Sequence, residues 1–451
     1  MPQIMSRHKR ILEYLTSRIE PVALNGNSLN DQIVTTPEPC PTFERLKEIV
    51  FGPRTLEWRQ EIEDTLAVCL ATILSTGLRG AQLGIRVIGP PGSVKSTIAE
   101  SLSVCREMVY PVSKFTGMVS GLDKVKKTEQ LASLVNGKTM IIKDADSLMQ
   151  TGNLAEIESE LRDSLGDAVI RYNYRTGKRG EIYTLYTVII FGTQGLKNMD
   201  NPMLGPRFLD VRIHEKGSDT SSIVDRCIDS QFETLTSQLS VGESNTLIPV
   251  QKDMLLKMAP YVYGFLVSKK KFIDSGIRIN PLTPLQKQRI KAMAELVSYI
   301  RARINKDKEG FVQNDEREIG SRVSEQLTRL LVVLAIVNSD EGTSEVTVSG
   351  KEFRIAARVV RDTLEGHRFN IAKFLVQNKF TSQEISGEVN LSNGHCHRIL
   401  MEMLYQEIIV REQVSLGNGQ GGFRAYYSLS EEVEEIFRVA NVLEKGKQNA
   451  Y

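Results

Sequence analysis

Nine consecutive residues carry the strongest chemical signal in this sequence: Gly89, Pro90, Pro91, Gly92, Ser93, Val94, Lys95, Ser96 and Thr97. A polyphosphate needs several backbone N–H groups converging on its oxygens, with a helix N-terminus behind them. Gly89 and Gly92 permit such a backbone. Lys95 is spaced to reach the β- and γ-phosphates, and the Ser96 hydroxyl to take Mg²⁺. The chemistry implied is the binding of ATP with Mg²⁺. The usual pattern has a second glycine where Val94 stands. A β-branched residue there requires a negative φ and room for its side chain.

Phosphoryl transfer also needs a carboxylate to order the metal shell and one to position the attacking water. The segment Ile141-Ile142-Lys143-Asp144-Ala145-Asp146 offers them at a strand end. Asp144 is the leading candidate for the acidic role and for a metal contact, with Asp146 as its helper. Two registers fit. In one, Asp144 serves the metal shell and Ala145 takes the position of the base. In the other, Lys143 stands in the metal-shell position and Asp144 is the base.

These groups need a strand, a tight loop and a helix to hold them. Leu83 to Ile88 is an apolar run that predicts the strand, and Ser96 to Cys105 predicts the helix. Thr139 to Ile142 predicts a second strand, and Leu154 to Leu165 a helix. Val169 to Tyr174 and Ile182 to Phe191 read as a β-hairpin, with Lys178 and Arg179 at its tip. Helical periodicity marks Thr42 to Ile49 and Leu56 to Thr76 ahead of the loop. It returns over Val250 to Val267, Pro284 to Arg303 and Arg322 to Val337. The divisions are a flexible tail (1–41), an α/β core (42–220), a helical lid and linker (221–345) and a C-terminal domain (346–451). The run Lys269-Lys270-Lys271 reads as a solvated face.

The C-terminal domain has its own pattern. Arg368 to Gln377 predicts a helix. A second starts at Thr381 or Ser382, with Glu384 placed for a capping box. Asn390 to Gly394 is a turn, and His395 to Tyr405 a third helix. Strands Ile408 to Val414 and Phe423 to Ser428 follow, joined by glycines from Gly417 to Gly422. Three helices and a hairpin spell a winged helix-turn-helix. Ser392, Asn393, His395, His397 and Arg398 open its third helix, and Arg411 and Arg424 flank the wing. These are polar groups suited to DNA phosphates or base edges.

The chain has 451 residues and a formal charge of only +2, so any affinity for nucleic acid must come from local patches. Its five cysteines are widely spaced and form no Cys-x-x-Cys pair. This disfavours a disulfide framework and fits a reducing, cytoplasmic setting. No apolar run is long enough for a membrane span.

On these residues the sequence resembles the AAA+ ATPases, and among them the minichromosome-maintenance-like helicase branch. The phosphate loop, the strand end Ile142 to Asp146, the hairpin and the segment Leu204-Gly205-Pro206-Arg207-Phe208-Leu209-Asp210 carry the resemblance. It is also similar to ATPases of archaeal, phage and plasmid mobile elements. The resemblance implies a polar sensor at Thr193 or Gln194 and an arginine finger at Arg207. Arg322 and Arg329 are weaker candidates for a lid arginine. It implies that Lys178 and Arg179 touch single-stranded DNA. It also implies a homo-oligomeric ring, such as a hexamer, acting as a helicase in DNA replication. The sequence departs from the pattern at Val94 and Lys143. Only about forty residues precede the ATPase core. The alternatives are a replication initiator or loader, and a DNA-binding regulator with a degenerate ATPase.

Overall fold

The apolar run ahead of the phosphate loop forms strand β1 (Gly84–Ile88), with all five residues buried. The computed structural model describes residues 36–52, 58–78, 82–91, 93–112, 131–143, 168–173, 178–193, 207–214, 250–306, 312–316, 320–340, 342–376, 378–415 and 423–443. It also describes Leu56, Gly80, Leu161, Leu165 and Phe232. Helices α1 (Phe43–Val50) and α2 (Gln60–Ser75) precede β1, and α3 (Lys95–Ser103) and β2 (Val109–Val112) follow it. Then come α4 (Leu131–Leu134), β3 (Thr139–Ile142), β4 (Ala168–Asn173), β5 (Lys178–Tyr183), β6 (Thr187–Gly192) and β7 (Phe208–Arg212). Residues 36–451 group as one compact unit.

The molecule is α/β. Its central sheet has five parallel strands in the order β2-β3-β6-β1-β7. Strands β1, β3, β6 and β7 are buried throughout, as strands covered on both faces must be. Alternate residues sort to two cores. Ile85, Val87, Ile141, Ile189, Phe191, Leu209 and Val211 join the larger one, which takes in α2 and α3. Ile88, Met140, Ile142, Val188, Ile190 and Phe208 join the smaller one, with Ala132, Val135, Leu161 and Leu165.

The strand-like run from Ile182 to Phe191 divides in two. Strand β5 ends at Tyr183 and pairs only with β4, whereas β6 enters the central sheet. A continuous apolar run does not show where one pairing stops and the next begins. Lys178 and Arg179 are thus the first residues of β5, opposite Asn173 and Tyr172, rather than part of the turn.

Helices α5 (Val250–Asp274), α6 (Pro284–Arg301), α7 (Ser321–Asn338) and α8 (Gly350–Leu364) cover the sheet and each other. Between them lie β8 (Arg278–Ile279), β9 (Arg303–Lys306), β10 (Val312–Glu316) and β11 (Glu345–Val346). The antiparallel β9–β10 pair falls between two of the helices expected there, within the range read as a helical lid and linker. Residues 36–41 pack against α5 rather than forming a flexible tail. Cys40 is buried, and the Glu38 N–H donates to the Pro260 carbonyl at 3.0 Å. The chain crosses so close that a Cβ on Gly264 would lie 1.7 Å from the Glu38 oxygen. Lys269, read as solvated, is 2% exposed; its Nζ donates to the Ser339 carbonyl and lies over the Phe265 and Phe272 rings.

Strand β7 is the edge of the sheet, and an open edge must be covered. On its inner side, Arg86 of β1 faces Asp210 and makes two bonds to its carboxylate, at 2.6 and 3.0 Å. Both side chains are almost completely buried. On its outer side, α8 supplies the missing partners. The N–H groups of Asp210 and Arg212 donate to Thr363 Oγ1 and Asp362 Oδ2, each at 2.8 Å. Arg358 donates to the Arg212 carbonyl at 2.6 Å. Helix α8 lies within the range grouped by sequence with the C-terminal domain, yet it completes the edge of the core sheet.

Helices α9 (His367–Phe374), α10 (Ser382–Glu388) and α11 (Asn393–Tyr405) follow. Strands β12 (Phe380–Thr381), β13 (Ile409–Ser415) and β14 (Phe423–Leu429) form one antiparallel sheet in the order β12-β14-β13. Thr381 caps α10 in the expected capping box with Glu384. Helix α12 (Glu431–Ala440) returns to α6, with Tyr299 donating to Glu432 and Arg289 to the Ala440 carbonyl. The loop 416–422 lies outside the described residues. Among the described residues no helix is long and apolar enough to cross a membrane.

Removing Asp210 would strand a charged Arg86 in the interior. Asp210→Ala is expected to cost about 3–5 kcal/mol. Adding Arg86→Met should recover much of that loss, because the uncompensated charge goes with it. Denaturant unfolding of both variants measures this. A double variant no more stable than Asp210→Ala would count against the pair as one energetic unit.

Candidate functional site

The site starts where β1 ends. The Gly89 N–H donates to the Gly192 carbonyl at 3.2 Å, and the Ile213 N–H donates to the Ile88 carbonyl at 2.8 Å. The ends of β1, β6 and β7 therefore meet at the phosphate loop. Gly89 is a close approach: a Cβ would lie 3.2 Å from the Ile213 carbonyl oxygen and 3.3 Å from Ser93 Oγ. The Ser93 N–H closes a turn on the Pro90 carbonyl at 3.3 Å. Val94 then caps α3 with φ −62° and ψ 2°. The negative φ is the one its branched side chain demands, and that side chain packs on the core.

Lys95 is the first residue of α3 and is 8% exposed. Its ammonium is turned into the loop. It donates to the Gly89 carbonyl at 2.6 Å, to the Pro90 carbonyl, and to Ser93 Oγ at 2.8 Å. No side chain caps the helix, so its first-turn N–H groups are not taken by one. Ser96 is exposed in this turn, and Thr97 is buried. Oxyanion-binding N–H groups, an ammonium and an accessible hydroxyl suit a nucleotide polyphosphate with its Mg²⁺. Gly92 lies outside the described residues.

The neighbouring strand ends bring further groups. Thr193 follows Gly192 directly and so lies beside Gly89. Lys143 is the first residue after β3 and is half-buried. Burial lowers its ammonium pKa, and the Glu100 carboxylate on α3 opposes that shift. Asp144, Asp146 and Gln194 lie outside the described residues.

Arg207 lies at the other end of the sheet. It immediately precedes β7, whose first residue, Phe208, faces Gly84, the first residue of β1. At about 3.3 Å per residue, a five-residue strand separates its ends by roughly 13 Å. Arg207 and the phosphate loop thus occupy opposite ends of two adjacent strands. Arg329 has a different task. Its Nη1 donates to the Ser75 and Leu78 carbonyls at 3.2 and 3.0 Å and caps the C-terminus of α2. Arg322 lies in the first turn of α7, half-buried.

A charged cluster that sequence reasoning missed borders the loop beyond Ile213. His214 Nδ1 lies 3.6 Å from Glu61, and its Nε2 lies 4.0 Å from Glu365. Arg59 donates to the His214 carbonyl at 3.4 Å. The Glu61 carboxylate raises the His214 pKa above its ordinary value, against the effect of burial. Only the acidic character of Glu61 and Glu365 was visible in the chain, with 303 residues between them.

In the C-terminal part, the polar groups that open α11 have divided tasks. Ser392 caps the helix, and Asn393 accepts from Ser386 Oγ at 2.6 Å. The His395 ring stands edge-on to His367, with centroids 5.4 Å apart. His397 and Arg398 are exposed on α11, and Arg424 is exposed on β14 opposite Val414. No protein-family model matches this chain, and no curated protein matches it.

The raised pKa gives His214 a signed effect. Its contribution to stability is full below the unfolded value of about 6.5, and it is lost as pH rises through the folded value. Stability is expected to decline over this upper range, and His214→Gln should remove that step. Thermal unfolding from about pH 6 to about pH 9 checks it; an unchanged profile in the variant would refute the assignment.

Proposed function

We propose that this chain is an ATP-driven motor or remodeller of DNA, of the AAA+ type and helicase-like, with a C-terminal winged helix. One observation carries this reading: the phosphate loop and Arg207 occupy opposite ends of β1 and β7. An arginine so far from its own loop can serve the phosphates only across a subunit boundary. A surface bearing the loop would then meet a surface bearing Arg207. Such head-to-tail contacts close into a ring when the rotation per subunit closes, and a hexamer is one such ring. The five-stranded parallel sheet supports a P-loop core.

In this reading Lys95 and the first-turn N–H groups of α3 hold the β- and γ-phosphates, and Ser96 ligates Mg²⁺. Asp144, with Asp146 as its helper, supplies the carboxylate, and Thr193 or Gln194 supplies the polar sensor. Bound Mg²⁺ neutralises charge on the phosphate oxygens. Arg207 stabilises the charge that develops at the neighbour's γ-phosphate. Lys178 and Arg179 on the β4–β5 hairpin reach one DNA strand. His397, Arg398 and Arg424 engage phosphates or base edges of a duplex.

Lys143 favours a second reading. In one of the two registers, this cation at the end of β3 takes the metal-shell position of an acid that would assist hydrolysis. ATP would then switch the assembly of a replication initiator or DNA-bound regulator without rapid turnover.

ATP hydrolysis with and without single-stranded and duplex DNA tests the first reading against the second. A motor is expected to show DNA-stimulated turnover, abolished in Lys95→Ala and lowered by roughly 10³-fold or more in Arg207→Ala. ATP binding with no turnover under any condition would overturn the motor and leave the switch.

A further inference from the structure

The backbone that carries Arg207 is held by two side chains from the helical layer. Gln326 Nε2 on α7 donates to the Arg207 carbonyl at 2.8 Å. Arg301 Nη2, in the last turn of α6, donates to the Phe208 carbonyl at 3.2 Å. From another side Gly84 presses on the same place: a Cβ there would lie 2.7 Å from the Arg207 carbonyl oxygen. That carbonyl is therefore fixed between the first residue of β1 and an amide on α7.

The amide at 326 is an expensive choice for a buried position. Gln326 is 1% exposed, and its Oε1 has no hydrogen-bond partner among the described residues. A buried acceptor without a partner costs stability, which an apolar side chain of similar volume would avoid. The benefit of the amide lies in its donor, and the donor is spent on the Arg207 carbonyl.

We propose that Gln326, seconded by Arg301, is a positioning residue for Arg207. Together they fix the backbone from which the arginine reaches a neighbouring subunit's phosphates. The proposal rests on the reading of Arg207 as a residue that acts across subunits. It makes the α6–α7 pair the setting device for that arginine. A misplacement of about 1 Å is enough to cost a factor near 100 in rate.

The test uses the full chain and mixtures of its variants. Gln326→Met keeps the volume and removes the donor. Alone, it is expected to lower kcat for ATP by roughly 10- to 100-fold, with KM and the thermal midpoint close to those of the parent. Lys95→Ala subunits have no working site of their own but carry an intact Arg207. Mixing them with Arg207→Ala subunits is expected to restore turnover that neither has alone. Mixing them with Gln326→Met subunits should do the same, because the defect lies in the donated arginine. A purely structural defect at position 326 would not be relieved by a neighbour.

If Arg207→Ala gains nothing from Lys95→Ala subunits, the cross-subunit reading fails and the proposal falls with it. If Arg207→Ala is complemented but Gln326→Met keeps full kcat, or is not complemented, the positioning role alone is overturned. Should Gln326→Met not fold, Arg301→Met carries the same test through the Phe208 carbonyl.

Discussion

The buried ion pair between Arg86 and Asp210 is the interaction on which the rest of this structure turns. It joins the strand that leads into the phosphate loop to the strand that follows Arg207. Two charges taken out of water are costly unless geometry and further hydrogen bonds repay them. Here the carboxylate meets the guanidinium fork with both oxygens, and Arg212 stands 3.7 Å from one of them as a second cation. The same strand would expose N–H groups on its outer edge if Asp362 and Thr363 did not accept from them. Burial pushes the Asp362 carboxyl up to about 6, with Arg358 and the Arg212 N–H pulling the other way. Strand β7 is therefore fixed from both sides by charged or polar groups, where an interior strand would be fixed by two ladders.

The fixing matters because β7 touches functional groups at both ends. The glycines at the two ends of β1 mark the contacts. Gly84 admits the Arg207 carbonyl, and Gly89 admits Ile213 beside the loop. A side chain at either position would push the two strands apart at that end. The loop and the arginine are thus placed relative to one rigid pair of strands. A ring built from such subunits would keep a constant offset between the site each one holds and the arginine each one lends.

What could be read in the chain was local. The phosphate loop is a short pattern whose meaning lies within nine residues, and β1 and β3 are apolar runs bounded by turns. The capping box of Thr381 and Glu384 spans four positions and was legible for the same reason. Helix α8 shows the opposite case. Arg354, Arg358 and Asp362 stand at i, i+4 and i+8, a spacing that suits a solvated face as well as an interface. Arg358 and Asp362 face each other at 3.5 Å, but the partners that dock the helix, Asp64, the Glu61 carbonyl and Arg212, lie at least 146 positions away along the chain. Lys269 misled for a related reason. Three lysines in a row suggest solvent, but Phe265 and Phe272 sit one helical turn to either side and enclose the first of them.

The electrostatics at the loop end of the sheet suit the holding of a polyanion. Lys95, which opens α3 after β1, and Lys143, directly after β3, lie at the same end of the sheet, with β6 between the two strands. Lys95 is bonded to the Gly89 and Pro90 carbonyls and to Ser93 Oγ of its own loop. A phosphate must replace those bonds. Hydrogen bonds to a charged group contribute about 1.5–3 kcal/mol each, so part of the gain from binding is offset by those given up. Lys143, half-buried and under the influence of the Glu100 carboxylate, adds positive charge at the same end of the sheet. In the proposed assembly, an arginine delivered by a neighbour would join these cations at the phosphates.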